Sequence, residues 1–218
     1  SGFVGDTDVS EGTESIGTTA ETGGTYLVRV TAEGNDGAPY DLRVRTYSTD
    51  PFEPNEGRES PTPIDVGAVQ RGTIPIGDAD WFAFDVQAGS TVNATLTAGA
   101  GTNDFKLYPP DSGFVGDTDV SNGTATIGTT ARTSGTYYLR ATGEGSGAPY
   151  TISVETFTTD PFEPNEGREE ATPLEPGVER SGTLSIGDVD WFAIGAAQGE
   201  PLNVTMSVEG GTNDLKLY

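Results

Sequence analysis

Six oxygen-bearing side chains in this 218-residue sequence have the types and spacing of a cation site. They are Asp50, Glu53, Asn55, Glu56, Asp78 and Asp80. Calcium takes about six to eight oxygen ligands from carboxylates, amide side chains and backbone carbonyls. One interpretation of the cluster is therefore a calcium site. The alternative is that Asn55 and the acids cap turns and that Pro54 fixes the path of the chain.

A second acidic motif, GDTDVS, occurs twice and is a weaker candidate for binding a cation. It has only two acids, at positions i and i+2: Asp6 and Asp8 in the first copy, Asp117 and Asp119 in the second. A calcium loop of the EF-hand type needs more oxygen ligands than this. The motif therefore predicts a solvated turn.

The side chains on which most hydrolytic enzymes depend are absent. Because the sequence has no histidine and no cysteine, it excludes a Ser-His-Asp or Cys-His nucleophile, an imidazole base and the usual zinc site. A mechanism that uses only carboxylates, as in glycosidases, remains open. However, the pair Asp78 and Asp80 recurs at 188 and 190 together with its surroundings, which favours a repeated structural unit over a single active site. We predict a protein that is not an enzyme.

The charge of the sequence is strongly negative. Asp and Glu number 34 against 11 Lys and Arg, the net charge is -23, and the only lysines are Lys106 and Lys216. Such a surface repels nucleic acid and anionic lipid, so we expect neither as a partner. No apolar run approaches the roughly 20 residues that span a bilayer, so we expect no membrane insertion of this segment.

A lysine-poor acidic surface is similar to that of proteins from extreme halophiles. Molar salt shortens the screening length to about 3 Å, which makes the self-repulsion of such a surface tolerable. We therefore expect a halophilic protein. The alternative is an ordinary acidic secreted protein.

The sequence repeats itself at a fixed offset. DPFEPNEGRE at 50–59 returns at 160–169, and GDADWFAF at 77–84 returns as GDVDWFAI at 187–194. Both pairs are offset by 110 residues. Such self-similarity predicts an array of like structural units.

The opening motif shows where the units are interrupted. SGFVGDTDVS at 1–10 returns at 112–121, with an offset of 111, because EGNDGAPY at 33–40 is one residue longer than EGSGAPY at 144–150. An insertion at such a position indicates a turn. The predicted units are a second half at 1–49, a complete repeat at 50–159 and a first half at 160–218.

Apolar and polar residues alternate with period two in short stretches, as expected for half-buried strands. The residues predicted to face inward are Val92, Ala94 and Leu96 in TVNATLT and Tyr150, Ile152 and Val154 in YTISVE. Further strands are predicted at RGTIPI, WFAFDV, DFKLY, GTATIGTT and GTYYLRA, which are separated by turn residues. Together they predict an all-β fold of tandem antiparallel β-sandwich domains.

Trp81 and Trp191 each open an apolar strand. Exposed indole rings could serve as platforms that stack against sugars. We favour packing in the core for both, because the residues that follow are apolar.

Three Asn-x-Ser/Thr sequons are candidate N-glycosylation sites, at Asn93, Asn122 and Asn203. Alternation that buries Val92 and Ala94 predicts that Asn93 points outward. In PLNVTMS, inward-facing residues at 202 and 204 predict the same for Asn203. Chance occurrence in a threonine-rich chain is the alternative.

Five motifs follow one another along 50–159: DPFEPNEGRE, GDADWFAFDVQAGSTVNATL, NDFKLYPPDSG, SGTYYLRA and GAPYTISVE. Their order and spacing resemble the pre-peptidase C-terminal domain, a β-sandwich module of secreted proteins. The resemblance implies a jelly-roll-like sandwich that lies outside the cell and has no catalytic activity of its own. Members of the family are usually appended to proteases or other exported enzymes.

The resemblance also implies calcium as a cofactor. Related collagen-binding modules place calcium at a similar Glu-Pro-Asn segment together with acids ahead of the aromatic strand. Carried over to the matching positions, the ligands are Glu53, Asn55, Glu56 and Asp80, and in the next repeat Glu163, Asn165, Glu166 and Asp190. The sequence departs from that pattern at Gly77 and Gly187, where the related modules often have another acid.

The two half repeats limit how the fold could be completed. A β-sandwich cut in half exposes strand edges and core, which a stable monomer does not tolerate. The chain could be one window of a longer tandem array, or a subunit whose halves are completed by neighbouring copies in a head-to-tail strand exchange. Pairing of the two halves within one chain is the least favoured arrangement.

We therefore predict a non-enzymatic, extracellular structural protein that assembles with copies of itself into a filament or surface stalk of an extreme halophile. The competing prediction is a binding module, either an adhesin for glycan or protein or the targeting appendage of a secreted hydrolase.

Overall fold

A computed structural model describes most of the chain. The described residues are 4–9, 12–20, 22–32, 39–47, 50–99, 103–111, 113–120, 122–143, 148–158, 160–211 and 213–218. Most of the turn with the one-residue insertion lies outside them, as do the first three residues of SGFVGDTDVS. No helix in the described residues is long and apolar enough to cross a membrane.

The central repeat, residues 50–159, forms two β-sheets. Its strands are β1 (Thr62–Pro63), β2 (Val69–Ile74), β3 (Ala79–Val86), β4 (Ser90–Ala98), β5 (Asn103–Tyr108), β6 (Gly116–Val120), β7 (Gly123–Thr130), β8 (Gly135–Gly143) and β9 (Ala148–Thr158). One sheet has the order β1-β3-β8-β5-β6 and the other β2-β9-β4-β7. All of the neighbours are antiparallel except β1 and β3, which are parallel.

Alternation along the strands builds a single core between the two sheets. Every second residue is buried from 92 to 98 in β4 and from 148 to 154 in β9, and the six side chains predicted to face inward are at most 2 % exposed. Phe82, Phe105 and Leu139 meet them from the other sheet and are fully buried. The fold class is therefore the predicted all-β, largely antiparallel sandwich.

Trp81 lies on the outer face of its sheet, so the prediction that it packs in the core is wrong. Because neighbouring residues of a strand point to opposite faces, burial of Phe82 directs Trp81 outward. There its ring stacks on Tyr108 at 5.3 Å between centroids, and the guanidinium of Arg140 lies 5.9 Å from the indole. Trp191 makes the equivalent stack with Tyr218 at 5.3 Å.

The second copy of the GDTDV motif is an edge strand rather than the predicted turn. It forms β6, which pairs antiparallel with β5, so that Asp104 is opposite Asp119. Asp117 and Asp119 are exposed, whereas Val120 is buried. Exposed acids on alternate positions suit an edge strand because they discourage pairing with a further strand.

In the parts that the structure describes, the two flanking segments form fewer strands than the central repeat. We call residues 1–49 the leading half and residues 160–218 the trailing half. No strand occurs in the described part of the leading half. The described residues of the trailing half form two strands, β10 (Thr172–Leu174) and β11 (Phe192–Ile194), which pair in parallel as β1 and β3 do.

The prediction that Leu202 and Val204 face inward is wrong for this chain. They are 42 % and 36 % exposed, and the segment around them forms no strand. Their counterparts Val92 and Ala94 belong to β4, which lies between β7 and β9. Residues 160–218 contain no counterpart of β7 or β9, and none of the described residues buries these two side chains.

Candidate metal centre

Asp50 anchors the segment that carries the predicted ligands. One of its carboxylate oxygens accepts a hydrogen bond from the backbone N–H of Phe52 at 2.9 Å, and the other accepts one from the N–H of Thr73 at 3.1 Å. Asp160 makes the same two contacts, with Phe162 at 2.9 Å and Thr183 at 2.8 Å. This cap fixes the segment against β2.

Asn55 then joins this segment to the start of β3. Its backbone carbonyl accepts a hydrogen bond from the N–H of Trp81 at 2.9 Å, and its side-chain amide donates to the Trp81 carbonyl at 3.4 Å. The Glu53–Pro54 peptide bond that precedes it is cis. Because Trp81 directly follows Asp80, these bonds bring the Glu-Pro-Asn segment beside the acids of β3.

The resulting site contains two groups of carboxylates that share one residue. Asp50, Glu53 and Asp80 place ligand oxygens within 4.8 Å of one another, and so do Glu53, Glu56 and Asp78. Glu53 belongs to both groups. The structure thus brings the four residues implied by the resemblance together with Asp50 and Asp78, the other two acids of the cluster predicted from the sequence.

The trailing half repeats this arrangement. Its groups are Asp160, Glu163 and Asp190, and Glu163, Glu166 and Asp188, again within 4.8 Å. Asn165 is fully buried and contacts Trp191 through the same pair of hydrogen bonds, of 2.9 Å and 3.5 Å. The site therefore does not depend on a completed sandwich.

Several buried oxygens in these groups have no hydrogen-bond partner. They are Asn55 Oδ1, Glu56 Oε1 and Asp80 Oδ1 in the central repeat, and Glu163 Oε1, Asn165 Oδ1, both carboxylate oxygens of Glu166 and Asp190 Oδ1 in the trailing half. Asn55 and Asp80 are fully buried, and Glu166 is 9 % exposed. A buried acceptor without a donor is costly. Carboxylate and amide oxygens are the ligands that a hard cation takes, so the residues fit calcium.

Electrostatics also favour a cation here. Burial, together with the nearby Glu56, Asp78 and Asp80, raises the pKa of Glu53 to about 8. Burial likewise raises the pKa of Asp80 to about 7, although a 2.6 Å hydrogen bond from the Tyr150 hydroxyl opposes the rise. At neutral pH these carboxyls require either protons or a bound cation to offset their crowding.

Crowding is similar in the trailing half. Burial raises the pKa of Glu163 to about 8, with Glu166 contributing to the rise. The pKa of Asp190 rises to about 6, because of burial and the nearby Asp160 and Asp188. Asp190 has no counterpart of the Tyr150 contact among the described residues of the chain.

The hydrogen bond from Tyr150 to Asp80 could not be predicted from spacing, because the two residues are 70 positions apart in the sequence.

The three sequons lie in different surroundings. Asn122 is exposed, with φ of 120°, in the turn between β6 and β7, and Asn203 is exposed in the trailing half. Asn93 is on the outer face of its sheet as predicted, but it is half-buried and its Oδ1 has neither solvent contact nor a partner. Attachment of a glycan at these residues stays a prediction.

Part of the chain matches a known family of domains. Residues 78–143 match the model of the bacterial pre-peptidase C-terminal domain. The match begins at Asp78 in the acidic site and ends with β8. No curated protein matches the chain.

Solved structures similar to the chain cover less than half of it. The pre-peptidase C-terminal domain of a Bacillus anthracis collagenase is 19 % identical over 47 % of this chain and 98 % of that one, with a TM-score of 0.38. A periplasmic inhibitor of g-type lysozyme, PliG from Aeromonas hydrophila, is 17 % identical over 44 % of this chain and 95 % of that one, with a TM-score of 0.38. PliG from Salmonella Typhimurium is 20 % identical over 44 % and 97 %, with a TM-score of 0.33.

Proposed function

We propose that the protein is a non-enzymatic, extracellular structural protein in which the leading half of one copy completes the trailing half of another. Repetition of this pairing builds a head-to-tail filament. Calcium bound by the acidic groups stabilises each repeat, and the acidic surface suits a concentrated salt solution.

The observation that carries this proposal is where the exposed apolar side chains lie. Shifting core residues Ala94, Leu96, Phe105 and Leu107 by 110 gives Val204, Met206, Leu215 and Leu217 in the trailing half. Shifting Tyr137, Leu139, Ala141, Ile152 and Val154 back by 111 or 110 gives Tyr26, Val28, Val30, Leu42 and Val44 in the leading half. All nine counterparts are apolar, and all are at least 36 % exposed. Exposed apolar side chains in such number support an interaction surface.

A second copy of the chain fits that surface better than an unrelated partner. In the central repeat, β4 pairs with β9 and β7, and β3 and β5 pair with β8. The first member of each pairing has its counterpart in the trailing half, and the second in the leading half. Each half thus carries the strand edges that the other lacks, a form of strand addition.

A cysteine cross-link tests this assembly, because the chain has no cysteine of its own. In the central repeat Asn93 is paired with Glu155, and the counterparts of these two residues are Asn203 and Arg45. The double variant Asn203→Cys with Arg45→Cys is expected to form a ladder of covalent multimers when it is treated with a short cross-linker that reacts with two thiols. Intact mass and a non-reducing gel measure the ladder.

The matched control is Asn203→Cys with Asp41→Cys. Asp41 corresponds to Thr151, which pairs with Thr97, so this pair lies on the same face but four residues out of register. It is expected to give no ladder. A cross-link that leaves the mass monomeric means that the halves pair within one chain. Absence of any cross-link in a monomeric protein contradicts the proposal.

The second candidate is a binding module, either an adhesin or the accessory domain of a secreted hydrolase. The match of residues 78–143 to the pre-peptidase C-terminal domain favours it, as do the outward-facing Trp81, Tyr108 and Arg140. A monomer that binds insoluble polysaccharide or collagen, and loses that binding in Trp81→Ala, supports this candidate over the filament.

A further inference from the structure

Both ends of the central repeat contact a half repeat through the same few residues. The first seam joins Gly17 and Thr19 of the leading half to residues 76–78, and the second seam joins Gly128 and Thr130 to residues 186–188 of the trailing half. The residues correspond under the offsets of 111 and 110. In the described part of the leading half, every residue except Gly17 and Thr19 is exposed.

Backbone meets backbone in each seam. A Cβ added to Gly128 would overlap the carbonyl oxygen of Ile186, and one added to Gly187 would overlap that of Gly128. Gly17 and Gly77 stand in the same relation in the first seam. Gly77 and Gly187 also have φ of 76° and 77°, which favours glycine. Close approach therefore explains the glycines found where the related modules often have another acid.

The seams lie at opposite ends of the central sandwich. Residues 76–78 immediately precede β3, and Ile76 bridges to Gly143 at the end of β8. The other end of β3 leads to β4, whose Thr91 is paired with Thr130. One repeat therefore receives a neighbour at each end, in a single orientation.

Each seam adjoins an acidic group through a shared aspartate. The Thr130 hydroxyl donates to Asp188 Oδ1 at 2.7 Å, and Asp188 also belongs to the group with Glu163 and Glu166. Arg132 donates to the backbone carbonyl of Glu166 at 3.1 Å. In the first seam, the Thr19 hydroxyl donates to Asp78, which belongs to the group with Glu53 and Glu56.

Unpartnered oxygens point to a ligand in the group beside the second seam. Glu166 is 9 % exposed, and neither of its carboxylate oxygens has a hydrogen-bond partner; Glu163 Oε1 has none either. Without a cation, three carboxyl groups are crowded together next to the contact with Thr130. With one, Asp188 is held in the position that accepts the Thr130 hydrogen bond.

We propose that a divalent cation bound by Glu163, Glu166 and Asp188 locks the second seam, and that one bound by Glu53, Glu56 and Asp78 locks the first. Cation occupancy then sets the stiffness of the joint between consecutive repeats. This inference rests on the calcium binding proposed above, but it does not depend on assembly between copies.

Distances across the second seam test the proposal. Spin labels on Gln87→Cys, in the central repeat, and Val178→Cys, in the trailing half, are unique because the chain has no cysteine, and both positions are exposed. Adding calcium to chelator-treated protein is expected to narrow the distribution of label distances. Calorimetric titration with calcium measures binding on the same samples.

Two variants separate the effect of the cation from that of the hydrogen bond between Thr130 and Asp188. Asp188→Asn keeps an acceptor for Thr130 but is expected to weaken calcium binding at this group about tenfold or more, with loss of the narrowing. Thr130→Val is expected to keep calcium binding and lose the narrowing. Asp65→Asn, which changes an exposed acid away from the seams, is the matched control and should behave as the parent protein.

The outcomes distinguish the two proposals. Calcium binding with no change in the distance distribution overturns the locked joint and leaves the cation site standing. Absence of calcium binding to the parent protein overturns both. Narrowing that survives in Thr130→Val overturns the role of the Thr130–Asp188 contact.

Discussion

The Thr130 hydroxyl lies 2.7 Å from a carboxylate oxygen of Asp188, 58 residues further along the chain, and Thr19 makes the same contact with Asp78. Each threonine belongs to one repeat and each aspartate to the next. The contact is therefore between consecutive units, and it occurs once at each end of the central sandwich. Its duplication within one chain indicates a regular junction rather than an incidental one.

Gly128→Ala is expected to open the second seam and leave the central sandwich folded. Its new methyl group overlaps the Ile186 carbonyl oxygen, whereas alanine suits the interior of β7 better than glycine does. Amide hydrogen exchange should accelerate at 186–189 and stay unchanged in β3 and β8. Gly195→Ala, which meets no atom within 4 Å, is the control and should exchange as the parent does. Equal exchange in both variants would contradict the geometry of the seam.

Calcium should raise the melting temperature of chelator-treated protein. At a calcium concentration about 100 times the dissociation constant, binding adds about 2.7 kcal/mol to the free energy of unfolding. For a domain of roughly 100 residues, this raises the melting temperature by about 10 to 20 °C. Scanning calorimetry measures the rise. The double variant Glu53→Gln with Glu163→Gln, which alters the residue common to both groups, should lose it. A full response in that variant would show that calcium acts elsewhere.

Chelator-treated protein should become less stable as pH rises. The folded-state pKa values of Glu53 and Glu163 are raised to about 8, from 4.5. The folded state therefore holds protons that the unfolded state releases. The contribution of these two groups to the free energy of unfolding is fully present below about pH 4.5 and is lost as pH rises towards 8. Urea midpoints at pH 5 and pH 8 test this. Saturating calcium should remove the fall, because the cation replaces the protons.

Low salt should destabilise the protein and any assembly of it. A net charge of -23 on 218 residues repels itself over a distance that grows as salt is diluted. Sedimentation velocity and melting in molar potassium chloride, followed by dialysis into dilute buffer, measure both effects. Calcium is held constant throughout, so that screening alone changes. Unchanged size and melting in dilute buffer would exclude the halophilic interpretation.

Val28→Asp separates folding of the central repeat from association. Val28 is 64 % exposed, but its counterpart Leu139 is fully buried in the central core. The aspartate should therefore abolish assembly and leave the melting of the central sandwich unchanged. Leu139→Ala is the paired variant and should lower the stability of that sandwich by about 2–5 kcal/mol. Normal assembly of Val28→Asp would contradict completion of one copy by another.

Period-two alternation predicted most of the strands because the two faces of each strand meet different surroundings. It correctly placed Val92, Ala94 and Ile152 inside. It failed at Trp81, because the apolar residues that follow predicted burial, whereas alternation with the buried Phe82 directs Trp81 outward. It also missed β6, because Gly and Asp have low strand propensity and the pairing of this segment with β5 is a tertiary effect.

The acidic site was predictable in composition and not in geometry. Spacing along the chain identified Glu53, Asn55 and Asp78, but it did not predict the contact of Asp78 with Thr19, which belongs to another repeat. The same limit applies to Gly77. Its departure from the related modules looked like a missing ligand, and only the close approach of Gly17 gives the reason. Contacts between repeats leave no periodic signal within one repeat.

The placement of the seams at opposite ends has a mechanical consequence. In the proposed array, the first seam contacts the central repeat near the start of β3, in one sheet, and the second near the end of β7, in the other. A pulling force carried by both seams would therefore act along the strands and from one sheet to the other. The buried side chains between the two sheets would resist such a force, because the backbone hydrogen bonds join strands only within each sheet.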